Sequence, residues 1–204
     1  TPPDDPDWPN LVATLITALA DRIGGDEEQD GDLDQMVALH EALTRHPQIA
    51  DPGEAFTVYA YWLRRRWRRN PGGRGQDLDT AVDALRRALD VTQADDPARA
   101  GRLLEAIIAS LERNRADADD RADAAQLLGS LAGGQALTLS LLQCCEWDDQ
   151  DRTLLVDFIL ELARDGGWSV GPDAWTTLGL WLLGVARRYP AQLATGCDGA
   201  IDAL

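Results

Sequence analysis

Apolar and polar residues recur along the first 132 positions with the 3.6-residue period of amphipathic helices. This period predicts helices over about 11–23, 32–45, 54–69, 78–91, 97–111 and 121–131. No stretch of useful length shows the strict alternation of a strand, and β-branched runs are almost absent. The pattern therefore predicts an all-α protein.

The first of these helices has an apolar stripe formed by Leu11, Leu15, Ala18, Leu19 and Ile23. Helix ends are also marked in the sequence. A Gly-Gly pair at 24–25 follows the first helix, as glycines do after a helix end, and a proline at 47 stops the second. Aspartate at 32 with glutamine at 35 has the form of an N-cap and its capping-box partner.

Two markers recur with a period of about 45 residues. Asp-Pro steps end at Pro6, Pro52 and Pro97. Asp32 and Asp77, each in an Asp-Leu-Asp sequence, are also 45 residues apart. Periods of this size are typical of stacked repeat arrays, in which each unit buries its apolar face against its neighbours.

We therefore expect three helical-hairpin repeats over residues 1–132, at about 1–46, 47–92 and 93–132. From residue 133 the period dissolves, and residues 133–204 are expected to be degenerate repeats or a helical capping region. Further helices are expected at about 135–146, 149–164, 172–189 and 190–204.

Three stretches resemble a known repeat family. They are the linker Thr-Pro-Pro-Asp-Asp-Pro at 1–6, Ala-Leu-Ala-Asp-Arg at 18–22, and Gln-Asp-Leu-Asp-Thr-Ala-Val at 76–82. Over residues 1–132 the chain resembles tetratricopeptide-like (TPR-like) repeats of actinobacterial proteins, with repeats longer than the standard 34 residues. The resemblance implies a right-handed α-solenoid whose concave face, lined by the first helix of each repeat, holds a peptide or another domain. Such repeats often stand beside a caspase-like CHAT peptidase domain or signalling and conflict-system modules.

Composition narrows the function. The chain has 204 residues, a net charge of −16 and 19 basic residues, all of them arginine. The negative charge argues against nucleic acid or an anionic membrane as the main partner. The absence of lysine excludes a Walker-type lysine, a Schiff base and a Ser-Lys dyad. Three cysteines form no plausible disulfide framework, and neither a signal peptide nor a long apolar run is visible. We expect part of a longer cytoplasmic protein.

Two kinds of chemistry can be examined in the sequence. A His-Cys dyad would have to join His40 or His46 to cysteines at 144, 145 or 197, and no His-Gly step or strand-borne cysteine supports it. Acidic residues at 30, 32, 34 and 41 match EF-hand positions, but the required turn glycine is replaced by glutamine. We therefore expect no catalytic site, no metal and no cofactor.

The charges are unevenly distributed along the chain. Residues 1–54 contain 13 acidic groups, whereas residues 55–75 contain six arginines and none. We expect Phe56, Tyr59, Ala60, Leu63 and Trp67 to form the buried stripe of this helix, with most of the arginines projecting outward. Arginine recognises carboxylates and phosphates through paired hydrogen bonds, so this helix is a candidate docking surface for an acidic peptide or domain. The candidate partner-binding residues are Arg22, Tyr59, Trp62, Arg65, Arg66, Arg69 and Arg113.

The function that this pattern favours is a non-enzymatic protein–protein interaction scaffold, which binds or positions a protein partner or another domain of the same polypeptide. A structural spacer or oligomerisation array is the main alternative. A third is the regulatory portion of a caspase-like (CHAT) peptidase whose catalytic domain lies outside the sequence. The charge pattern would also be explained without any ligand if acidic residues on neighbouring repeats neutralise the arginine face.

Overall fold

The computed structural model describes residues 7–24, 31–47, 49–71, 75–113, 124, 149–165, 176, 178–181 and 183–184. Within these ranges the secondary structure is helical, and no strand occurs there. The protein is all-α. The helices are α1 (Trp8–Gly24), α2 (Asp32–Thr44), α3 (Pro52–Arg69), α4 (Gly75–Val91), α5 (Ala98–Arg113) and α6 (Asp149–Asp165).

The positions of these six helices confirm the helical periodicity of the sequence. Their ends differ from the predicted ones by no more than one turn. Residues 176–184, within the helix expected at 172–189, are helical wherever they are described. The helices expected at 121–131, 135–146 and 190–204 lie outside the described residues, apart from the helical position 124.

The chain divides into two compact units, Thr1–Ala94 and Asp95–Leu204. In the first unit α2 packs against both α1 and α3, and α3 packs against both α2 and α4. In the second unit α5 packs against α6. The repeat boundaries at about 46, 92 and 132 stay predictions, because compactness alone does not define a repeat.

Helix α2 begins differently from the prediction. Its N-cap is Gly31, with φ of 95°, a left-handed conformation that glycine adopts without steric cost. No side chain caps the helix, so the predicted capping box at Asp32 and Gln35 is wrong. Asp32 is the first residue of the helix itself, and its carboxylate bonds instead to the guanidinium of Arg22 on α1.

Helix α3 is well terminated at both ends. The Asp51 carboxylate accepts a hydrogen bond from the backbone N–H of Glu54 at 3.0 Å, and Pro52 occupies the first turn, where its missing N–H costs nothing. Arg66, Arg68 and Arg69 lie in the last turn, where cations interact favourably with the negative end of the helix dipole.

The expected apolar stripes are only partly buried. On α1, Leu19 and Ile23 are buried, whereas Leu11 and Leu15 are 51% and 47% exposed. On α3, Tyr59, Ala60 and Leu63 are buried as expected, and Phe56 and Trp67 are half-buried. Most of the arginines of this segment were expected to project outward, but Arg64 is buried, because α3 packs on two neighbouring helices and has less free surface than a helix covered on one side.

A stacked ring pair holds the segment that follows α2. The indole of Trp8, at the start of α1, lies 5.1 Å from the imidazole of His46, and the two planes are only 10° apart. His46 is buried in this contact. The chain leaving the first hairpin is therefore fixed to the helix that begins it.

We expect Asp51→Ala to lower the free energy of unfolding by about 1 kcal/mol, because the Glu54 N–H loses its capping acceptor. Urea-induced unfolding followed by circular dichroism measures the change. Asp21→Ala, at an exposed position inside α1, is the control for loss of an acidic side chain and should change stability by less than about 0.5 kcal/mol. Equal effects of the two substitutions would contradict the assigned cap.

Candidate functional site

The first unit contains two helical hairpins, α1 with α2 and α3 with α4. Each hairpin is joined by an ion pair of the same kind. In the first, Arg22 Nε donates to Asp32 Oδ2 at 2.8 Å and Nη2 bonds to Oδ1. In the second, Arg66 Nε donates to Asp77 Oδ2 at 2.8 Å and Nη2 to Oδ1 at 2.6 Å. The same donor atoms meet the same acceptor atoms, so each hairpin is closed by a planar two-bond fork.

Arg66 also connects the two hairpins. Its Nη1 donates to Asp34 Oδ1 on α2 at 3.1 Å, so one guanidinium binds carboxylates on the helices at both sides of α3. The hydrogen bonds from Arg66 to Asp77 are the main cause that raises the pKa of this arginine, and Asp34 adds to it. The charge of Arg66 is thereby largely satisfied inside the first unit.

Sequence reasoning missed these forks although their signal was present. The recurrence of Asp32 and Asp77 was recognised as a repeat marker, but Asp32 was interpreted as a helix cap. Arg22 and Arg66 are 44 residues apart, almost the same interval, and this second match indicates a paired basic residue. A co-repeating arginine and aspartate would have predicted the contact.

A buried histidine lies between α2 and α3. The imidazole of His40 stacks on the indole of Trp62, with ring centroids 6.3 Å apart and planes at 24°. Both of its ring nitrogens are buried, and neither has a hydrogen-bond partner among the described residues. Burial lowers the pKa of His40 to about 4 from its ordinary 6.5, because the charged form would lose its hydration. His40 is therefore neutral at physiological pH.

The outward side of α3 carries a different arrangement. Arg65 Nη1 lies 3.4 Å from the hydroxyl of Tyr61, and the guanidinium carbon lies 5.4 Å from the centre of the Trp62 ring. Tyr61 is 43% exposed and packs edge-on against Trp62. Arg69 is exposed one turn further along the helix. We call Tyr61, Arg65 and Arg69 the arginine–tyrosine surface.

The seven candidate residues therefore have different environments. Arg22 and Arg66 are engaged in the forks. Tyr59 and Trp62 are buried under α2, and burial is the main cause that raises the pKa of the Tyr59 hydroxyl. Arg65 and Arg69 lie on the arginine–tyrosine surface. Arg113 is half-buried at the end of α5, in the second unit. Tyr61 was missed, although it lies one turn before Arg65.

The described ranges were also searched for metal sites, membrane-spanning helices and a His-Cys dyad. No group of three or more metal-ligating side chains occurs there, and no helix there is both long and apolar enough to cross a bilayer. The three cysteines considered for a dyad lie outside these ranges. No protein-family model, curated protein or solved structure matches the chain. The resemblance to TPR-like repeats thus stays a prediction from the quoted motifs.

We expect Asp77→Asn to destabilise the protein by about 2 kcal/mol, because the fork loses its charge and Arg66 keeps a poorly matched acceptor. Urea unfolding measures the change. The matched control is Asp83→Asn, which removes an exposed carboxylate 3.8 Å from Arg86 and should cost less than about 0.5 kcal/mol. A result for Asp77→Asn as small as that of the control would disprove a structural role for the fork.

We expect stability to fall in acid partly through His40. Between about pH 6.5 and 4 the unfolded chain binds a proton at this residue and the folded chain does not, so unfolding becomes easier as the pH drops and the effect levels off below about 4. Over this pH range the free energy of unfolding falls by about 3 kcal/mol through His40. Unfolding of wild type and of His40→Leu, compared between pH 7.5 and 4, isolates it. Parallel curves for the two proteins would show that His40 does not contribute.

Proposed function

We propose that the chain is a right-handed α-solenoid of TPR-like repeats that acts as a non-enzymatic, cytoplasmic interaction scaffold. It binds an acidic segment of a protein partner, or of another domain of the same polypeptide, on the arginine–tyrosine surface of α3. The repeat architecture is supported by the two forks, since identical bonds recur at an interval of about 45 residues.

One observation carries the binding proposal. Within the described residues Arg65 interacts with the hydroxyl of Tyr61 and with the ring of Trp62, and not with a carboxylate. A guanidinium on a ring face keeps its outer N–H groups available for an incoming acceptor, and the ring contact reduces its rotational freedom. Arg66, the next residue, differs because Asp34 and Asp77 satisfy it.

The composition of the surface suits a protein ligand. Tyrosine and arginine are enriched at the energetic centres of protein interfaces, because they bury a large area while keeping a polar group for the partner. Tyr61 supplies such an area beside Arg65, and Arg69 extends the positive charge by one turn. The net charge of −16 repels nucleic acid, so an acidic peptide is recognised by local geometry rather than by long-range attraction.

Affinity capture from the source cell tests this proposal. The bait is the whole chain as wild type, as Arg65→Glu/Arg69→Glu, and as Arg86→Glu/Arg87→Glu. The last pair reverses two exposed arginines on α4 and is matched in charge. We expect a bound protein, quantified by mass spectrometry, to decrease at least about tenfold with the α3 variant only, the scale expected for two lost charged contacts.

Circular dichroism of the three baits must show the same helix content, so that loss of binding reflects the surface. A partner that binds all three baits equally would contradict the assigned surface. Absence of any enriched partner would contradict the scaffold proposal and favour a spacer.

A further inference from the structure

Helices α1 and α3 each have four corresponding residues on one face. These residues are buried or partly buried on α3 and mostly exposed to solvent on α1. Four positions on each helix share the spacing of four, three and four residues and lie along one side. Arg22 and Arg66 occupy the same place in the two forks and are 44 residues apart. Each is the last residue of its face, so positions on α1 correspond to positions 44 residues later on α3. The two sets are Leu11, Leu15, Ala18 and Arg22 on α1, and Ala55, Tyr59, Trp62 and Arg66 on α3.

On α3 this face is covered by α2. His40 stacks on Trp62, and Asp34 accepts the third hydrogen bond of Arg66. Glu41 is near enough to Tyr59 to contribute to the raised pKa of its hydroxyl. Residue numbers rise along α2 as they fall along α3, so the two helices run antiparallel. Tyr59 and Trp62 are buried by this packing, and Ala55 is buried as well.

On α1 the equivalent positions are open. Leu11, Leu15 and Ala18 are exposed. Arg22 uses Nε and Nη2 for Asp32, while its Nη1 bonds to no residue in the described part of the chain. That nitrogen corresponds to the Arg66 atom that binds Asp34. We call Leu11, Leu15, Ala18 and Arg22 the α1 open face.

We propose that the α1 open face binds an amphipathic helix of a partner protein, in the way that α2 binds α3. The partner helix runs antiparallel to α1 and has an acidic residue in its first turn, which bonds to Arg22 Nη1. Counted from that acid, the residues six and seven positions later cover Ala18 and Leu15, since on α3 His40 stacks on Trp62 and Glu41 lies near Tyr59.

The size of the residues on α1 adds a requirement for the partner. Alanine occupies position 18 where α3 has the large indole of Trp62. Helices that pack at similar separation pair small residues with large ones. The partner residue opposite Ala18 is therefore larger than histidine, with phenylalanine or tryptophan as the best fit. Leu15 lies where α3 has Tyr59 and has no hydroxyl group. The partner helix therefore needs an apolar residue at the position where α2 has Glu41.

The α1 open face is a different surface from the arginine–tyrosine surface. Binding of a helix there follows from the correspondence of α1 with α3 and not from the proposed acidic-peptide function. Each can fail while the other holds.

The probe is a fluorescein-labelled peptide with the sequence of residues 31–45 carrying H40F and E41L, titrated with the whole chain and followed by anisotropy. We expect saturable binding below about 1 mM. Leu15→Asp in the chain should weaken it at least about tenfold, since a charge replaces a covered side chain. D34N in the peptide should weaken it about threefold or more through loss of the charged acceptor.

Two control variants make the test specific. Val91→Asp places the same charge at an apolar position of α4 that is also exposed, and it should leave peptide binding unchanged. Arg65→Glu/Arg69→Glu should also bind the peptide normally, which separates this site from the arginine–tyrosine surface. No saturable binding, or equal binding by Leu15→Asp and wild type, would overturn the proposal. A dimer of the unbound chain that Leu15→Asp abolishes would overturn it too, because a second copy would then be the occupant.

Discussion

The fork between an arginine on one helix and an aspartate at the start of the next is the interaction on which the first unit depends. It aligns the end of α1 with the beginning of α2, and the end of α3 with the beginning of α4. Two parallel bonds fix the orientation of a helix pair as well as its separation. Lysine could supply the charge but not the planar pair of donors, so the arginine-only composition suits this geometry.

Most of the helices could be predicted from the sequence because apolar periodicity depends only on local spacing. Environments were harder to predict, since periodicity shows which residues share a face and not whether a neighbour covers it. Leu11 and Leu15 have the spacing of core residues but face solvent, whereas Trp62 was expected to bind a partner but lies under α2. A helix packed on two sides, such as α3, has two buried stripes, and one stripe was predicted.

The candidate site shows the same distinction. Arg22, Arg65, Arg66 and Arg69 were grouped because all are basic and sit on first helices of the predicted hairpins. Their roles separate only when the neighbouring helices are known, because a carboxylate on α2 or α4 decides which guanidinium is satisfied. Asp32 illustrates the reverse case. Its position at a helix start suggested a cap, yet a cation on an adjacent helix competes for the same oxygens.

The exposed leucines of α1 also affect how the protein behaves in concentrated solution. Contiguous apolar surface attracts other molecules, and in this chain that attraction is opposed by a net charge of −16. The opposition weakens as carboxylates become protonated near pH 4. Colloidal stability therefore depends on two opposing interactions between molecules, attraction between the exposed leucines and repulsion between negative charges. Acidification weakens the repulsion.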